Sequence, residues 1–249
     1  MSLGACNSYK TVDVRRHNVW VTSSALFSPL DPDNPGPITW IGGSWETAER
    51  LGQSFLEAAD ILANTWRSLP PHRLSLAMSL ALPTIQNYRH AIELILKGAC
   101  LEVQRLVQLG GRMGIGSDSS RVDLDERLGT THSIAKLVNL LTSLLDGLAV
   151  QEVERQLPED VRRTLRFLHD VDADGTAFRY ATQKVAGGKP STWSAVRPEP
   201  VAVDLDSAIV RLHDAAGMLL HGLGGFLSAY EDYLQDMWQE YSENFDYEP

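Results

Sequence analysis

Residues 83–111 read PTIQNYRHAIELILKGACLEVQRLVQLGG, and this stretch decides the fold class. Ile85, Tyr88, Ile92, Leu96, Ala99, Val103 and Leu106 recur every three or four residues, the spacing that lays one apolar stripe along a helix. Pro83 fits the first turn of such a helix, where its missing N–H removes no bond, and Gly110-Gly111 ends it. The other face carries Arg89, Glu93 and Lys97, each one turn from the next.

Outward from this helix the same period returns. Towards the N-terminus, Ser44 is a candidate N-cap for a helix with Ala48, Leu51, Phe55, Ala58, Leu62 and Trp66 on one side, ended by Pro70-Pro71. Residues 110–130, rich in Gly, Ser and Asp, read as a loop. Ile134, Leu137, Leu140, Leu141, Leu144 and Leu148 predict a third helix. Pro158 with Glu159 and Asp160 opens a fourth, its Val161, Leu165 and Leu168 pointing inward. Leu205 to Leu234 predicts one long helix that bends near Gly222, Gly224 and Gly225. Between the last two, Phe178, Tyr180 and Thr182 alternate with Arg179 and Ala181 before a run of prolines, which predicts an extended insert over residues 174–203. Val19-Trp20-Val21 and Pro29, Pro32, Pro35 and Pro37 predict an extended N-terminal arm over residues 1–43. The expected fold is mainly α: an up-and-down helical bundle over 44–238 with a small β-like insert, and an acidic, aromatic tail over 239–249.

A chain of 249 residues, 43% hydrophobic, can bury a substantial core. Cys6 and Cys100 make no disulfide framework and have no metal-ligand spacing, so a reducing compartment without structural zinc or another cofactor is expected. The opening MSLGACNSYK has no apolar run behind a basic cluster, and no stretch approaches the roughly 18 apolar residues of a membrane helix. The expectation is a cytoplasmic protein with no membrane partner. Of the ten net negative charges, eight fall in the final 38 residues, after Arg211, the last basic residue. That distribution excludes a broad basic surface but leaves room for a local anion site. The phosphate-loop, dinucleotide-binding, zinc-protease and nucleophile-elbow motifs are all missing from the sequence.

Three segments stand out: Tyr88-Arg89-His90-Ala91-Ile92-Glu93-Leu94-Ile95-Leu96-Lys97, Thr131-His132-Ser133-Ile134-Ala135-Lys136-Leu137, and Asp172-Ala173-Asp174-Gly175-Thr176-Ala177-Phe178-Arg179-Tyr180. Their order and wording resemble a divergent bacterial branch of the HEPN superfamily, over roughly residues 50–235. The resemblance implies a helical bundle, a homodimer and, as in many members, metal-independent RNA cleavage. There an Arg and a His with four to six residues between them act on the 2′-hydroxyl and the scissile phosphate. It also implies a toxin or antiviral-defence role, with RNA, a nucleotide, or a protein partner such as an antitoxin as the bound species. Chemically the pair is apt, because imidazole moves a proton near neutral pH and guanidinium holds a developing phosphate charge.

In this chain the nearest match to that pair is Arg162 and His169, which lie within about 20° of each other on one helix face. Arg163, also in range, is about 120° from His169, and neither arginine is followed by the family's polar residue. Arg89, Glu93 and Lys97 are either a solvated ion-pair ladder or a group buried between helices, with Glu93 meeting Arg179. His90 and His132 read as base and anion donor, or as capping and packing residues. Arg179, between the anchoring aromatics Phe178 and Tyr180, would reach a carboxylate or a phosphate. Tyr233, Trp238, Tyr241, Phe245 and Tyr247, interleaved with carboxylates, read as a solvated helix end or as a surface that docks on a basic partner. Two functions follow: an RNA-associated protein cutting RNA with Arg162 and His169, with Arg89, His90 and Arg179 near the phosphate, or a noncatalytic module binding a nucleotide or a protein, in which Arg89, Glu93, Lys97 and Arg179 hold the fold together or form the recognition surface; His132 and Tyr180 join the candidate ligand-binding set.

Overall fold

A computed structural model describes residues 47–115, 124–150, 156–179, 182–184, 193–195 and 202–245. All of these belong to the unit Gly43–Pro249. The expected N-terminal arm, most of the insert and the last residues of the tail lie outside the described residues.

The described chain is mainly helical. Helix α1 (Ala48–Arg67) starts where the Thr47 hydroxyl accepts the Arg50 N–H at 3.2 Å, with Glu49 in the positive first turn. Its buried face is Gly52, Leu56, Ala59 and Ala63, one residue round from the expected stripe. The reason is close packing on α2 (Leu74–Arg112): a Cβ on Gly52 would stand 2.7 Å from Ile95 Cγ1. Small side chains face α2, while Phe55 and Trp66 pack at the edge of the core.

Helix α2 corrects the sequence reading at its start. It begins at Leu74, so Pro83 lies inside it. Leu, Ala and Met dominate residues 74–82, and their helix propensity carries the chain through the one backbone bond the proline removes. The expected loop 110–130 contains a short helix α3 (Leu124–Thr130), held because Leu124 and Leu128 are buried. Helix α4 (Ile134–Leu145) is capped by the Ser133 hydroxyl, and α5 (Glu159–Val171) begins directly after Pro158, with Glu159 and Asp160 in its first turn. Two three-residue strands, β1 (Thr182–Lys184) and β2 (Trp193–Ala195), pair antiparallel in the insert. Phe178 and Arg179 do not belong to a strand, as the alternation suggested; residues 177–179 form a turn, closed by Arg179 N–H to the Thr176 carbonyl at 3.2 Å.

The last 41 described residues form one unbroken helical run: α6 (Leu205–Gly217), a π-helical segment (Met218–Leu223) and α7 (Gly224–Phe245). The glycine-weakened region thus takes the wider π geometry at the point where a bend was expected. Along this run Leu205, Ile209, Leu212, Ala216, Leu223, Leu227, Tyr230 and Leu234 face the core. Among the described residues, no helix is long and apolar enough to cross a membrane.

Candidate functional site

Arg89, Glu93 and Asp172 are at most 1% exposed, deep among the apolar side chains of the core. Charges this deep persist only when paired and hydrogen-bonded. Arg89 supplies the pairing. Its Nη1 donates to Glu93 Oε2 at 2.5 Å, its Nη2 donates to the His132 carbonyl at 2.6 Å, and its Nε lies 2.6 Å from Asp172 Oδ2. This last contact is an ion pair without hydrogen-bond alignment. The second Glu93 oxygen meets Lys97 Nζ at 3.0 Å and His132 Nδ1 at 2.8 Å.

Local structure places each member. One-turn spacing on α2 aligns Arg89, Glu93 and Lys97. His132 precedes the Ser133 cap of α4, so its carbonyl is free of the helix ladder. Asp172 caps the C-terminus of α5, and its Oδ1 accepts the Ala177 N–H at 2.8 Å. The chain then turns through Gly175 at φ +79°, a conformation that favours glycine. Gly175 is also needed for space, since a Cβ there would stand 2.7 Å from both Arg89 Nη2 and Arg179 Nη2. The two guanidinium groups therefore come within twice that distance of each other.

Burial acts on Glu93 to raise its pKa, but hydrogen bonds from Lys97, His132 and Arg89 outweigh it and hold the carboxyl below 4.5. His90 sits edge-on to Phe55, with ring centroids 4.4 Å apart. Burial, with Arg179, Arg89 and Lys97 acting against Glu93, keeps the His90 imidazole below its ordinary 6.5. Its Nδ1 is buried with no hydrogen-bond partner. Asp174 is held low by the Thr176 hydroxyl, which donates to its Oδ1 at 2.5 Å.

Arg89, Glu93 and Lys97 are thus not a solvated ladder. Nor does Glu93 meet Arg179, because the nearer Arg89 takes both carboxylates. Arg179 Nε instead donates to the Gly175 carbonyl at 2.5 Å, and its Nη atoms have no carboxylate partner among the described residues. Its side chain is exposed. The cluster can do one thing chemically: its core is saturated and closed to substrate, while the Arg179 fork at its rim can receive an anion. Tyr180 lies outside the described residues.

Arg162 and His169 both lie on α5. The Arg162 guanidinium reaches back one turn to Glu159 at 2.6 Å, in the direction away from His169. The two are separated along the axis by roughly 10 Å of helix rise. His169 is half-buried, with Nδ1 unpartnered.

Sequence reasoning did not single out Asp172 as a site residue. Its signal was available: it continues the buried row Val161, Leu165, Leu168, and an acid on a buried row demands a cation. A second polar group also emerged, where the buried Tyr88 hydroxyl donates to Asp60 Oδ1 at 2.5 Å and His213 Nδ1 meets the same oxygen at 2.8 Å. A cavity of about 230 Å³ between α1, α2 and the long helical run, lined by Glu49, Ile95, Gly98, Leu219 and Leu220 among others, contains no residue of the ion cluster. Among the described residues, no group of three His, Cys, Asp or Glu side chains is placed to hold a metal ion. The chain matches no family model, no curated protein and no solved structure.

Proposed function

We propose that this chain is a HEPN-like, RNA-associated module of toxin or antiviral-defence type that works by binding a phosphate group, of RNA or of a nucleotide, at Arg179. The observation that carries this reading is the Arg179 guanidinium: anchored through Nε, exposed, with no carboxylate partner among the described residues, and set next to a second guanidinium. A planar guanidinium fork is the group suited to bidentate phosphate contact. The three segments that carry the family resemblance supply the ion cluster beneath it, which supports reading them as one unit.

Binding of labelled single-stranded RNA and of ATP to the purified protein tests this. Arg179→Ala should weaken binding about 10- to 100-fold, the loss of one or two charge-assisted bonds, with Arg179→Lys between the two. Its stability should fall by no more than about 1.5 kcal/mol, the worth of the one bond to the Gly175 carbonyl, because the rest of the side chain is exposed. Equal binding by Arg179→Ala and wild type would overturn the proposal, as would no binding of either probe by wild type.

The second reading is metal-independent RNA cleavage using His169. It rests on the resemblance and on a half-buried imidazole whose Nδ1 is sealed from solvent and unpartnered among the described residues, so proton transfer would fall to Nε2. Incubation with cellular RNA in EDTA, reading 2′,3′-cyclic phosphate ends, decides it. Cleavage lost in His169→Ala supports a ribonuclease; intact RNA with both proteins sinks it.

A further inference from the structure

The apolar row of the last helical run keeps the α period from end to end. Leu205 and Leu234 are 29 residues apart, about eight turns at roughly 3.6 residues each. In an unbroken α-helix Leu223, Leu227, Tyr230 and Leu234 would therefore prolong the face of Leu205, Ile209, Leu212 and Ala216. The backbone departs from this. The segment Met218–Leu223 is π-helical, and a single π turn holds one residue more than the α turn it replaces. Every residue of α7 is thereby set back by one place, about 100° around the axis.

The direction that the row would take without the π turn leads into the cavity of about 230 Å³ beside α2, to which α7 presents Gly224, Ser228 and Glu231. Each of these stands one position after a member of the row: Leu223, Leu227 and Tyr230. Relaxing the π turn to α with α6 in place advances every residue of α7 by one place. Leu223, Leu227 and Tyr230 then enter the spots of Gly224, Ser228 and Glu231. A Cβ on Gly224 meets nothing within 4 Å, so the first of these spots is open.

A second row follows into the core. Gly222, Phe226, Ala229 and Tyr233 each precede a buried residue by one position, so they take over the spots of Leu223, Leu227, Tyr230 and Leu234. Phe226 already packs at the edge of the core, and Tyr233 is 47% exposed. The exchange is uneven. Gly222 and Ala229 underfill two core spots, and Leu234 passes to the exposed spot of Gln235. These losses oppose the filled cavity and the relaxed turn, and they make the π register the major one. Two bonds also hold it: the Tyr230 hydroxyl accepts the Ala149 N–H at 3.2 Å, and Glu231 pairs with Arg105 at 2.7 Å. Both break on the shift, while Arg105 retains Glu102.

We infer that α7 is a two-register device, screwing by one residue, about 100° of rotation and about 1.5 Å along its axis, between the π register and an unbroken α run, with Arg105 as its latch. Register shifts of helices occur on the microsecond to millisecond scale. In this one Tyr233 moves from solvent into the core, and Tyr230 moves from the core to the cavity.

Fluorine NMR of the full chain labelled with 3-fluorotyrosine tests this, the Tyr230 and Tyr233 signals being assigned by their Phe variants. Relaxation dispersion and saturation transfer report exchange from microseconds to seconds. In wild type the two signals share one exchange rate and one minor population, which Tyr88 on α2 does not show. Arg105→Gln, at a half-exposed position, removes the latch and raises the minor population about 2- to 5-fold. Deletion of Gly222 takes the extra residue out of the π turn and leaves the present core row in its spots on an unbroken helix, so the shared exchange disappears. Absence of shared exchange in both wild type and Arg105→Gln overturns the inference. So does a minor population that Arg105→Gln leaves unchanged, and so does exchange that survives the deletion. Should the deleted chain lose its helical circular dichroism, the comparison of Arg105→Gln with wild type decides alone.

Discussion

Replacing Arg89 by methionine keeps most of the side-chain volume and removes the cation shared by two buried carboxylates. The two are not affected equally. Glu93 keeps Lys97 and His132 on its second oxygen. Asp172 loses its ion-pair partner and keeps the Ala177 N–H on Oδ1. A buried charge deprived of its partner costs about 3–5 kcal/mol. For a chain of this length that is a fall in melting temperature of roughly 6–20 °C. Urea unfolding followed by circular dichroism measures the loss, with Lys97→Met as the control: Glu93 retains two other partners there, and the cost is about 1 kcal/mol. Asp172→Asn introduced on top of Arg89→Met removes the stranded charge and recovers part of the stability, so the two substitutions are strongly non-additive. A loss below about 1 kcal/mol for Arg89→Met, or no recovery from Asp172→Asn, would refute the assignment of this cluster as a buried ion network.

Gly175→Ala places a Cβ against both guanidinium groups at a positive φ, and should cost at least about 1–2 kcal/mol from the backbone alone while weakening anion binding at Arg179; unchanged thermal melting would contradict the turn. Stability falls with acidification in two stages. Because the folded His90 binds its proton less readily than the unfolded chain, its contribution is complete above 6.5 and declines as the pH drops below that value. Glu93, depressed in the fold, adds stability above 4.5 that disappears as the pH falls through its folded value. Melting temperature against pH should therefore begin to drop near 6.5 in wild type but not in His90→Phe; parallel curves would refute this. Tyr88→Phe removes one hydrogen bond to Asp60 and leaves the bond from His213, so it should cost about 1 kcal/mol by urea unfolding; a cost above about 3 would place more weight on that hydroxyl than its geometry allows.

Where apolar residues recur with helical period and a cap or proline marks the boundary, the elements were legible from the sequence, as α4 and α5 illustrate. The misreadings came from competing local signals. Pro83 looked like a start because prolines favour first turns, yet strong helix formers on its N-terminal side extended the helix through it. Helix α3 was hidden among glycines and serines, since two buried leucines in seven residues make no readable period. On α1 the large residues suggested the wrong face, because the partner helix came close enough to need Gly52 and Ala59 between them. The site was legible as a set of segments but not as a set of pairs. Sequence shows that Arg89, Glu93 and Arg179 are chemically suited to one another; only the turn at Gly175 decides that Asp172, and not Glu93, faces Arg89 Nε.

The buried ions also fix register. Along α2 the apolar row Ile85, Ile92, Leu96, Ala99 and Val103 is nearly self-similar, and a slide of one turn, about 5.4 Å, would bring another branched side chain into most of the same holes. The charges do not tolerate that slide. One turn in one direction sets Ile85 opposite Asp172 and leaves a dehydrated carboxylate without a cation; one turn in the other sets Glu93 there and brings two carboxylates together. Each misaligned arrangement carries a penalty of several kcal/mol that the aligned one does not. An oily interface that could settle in several positions is left with one.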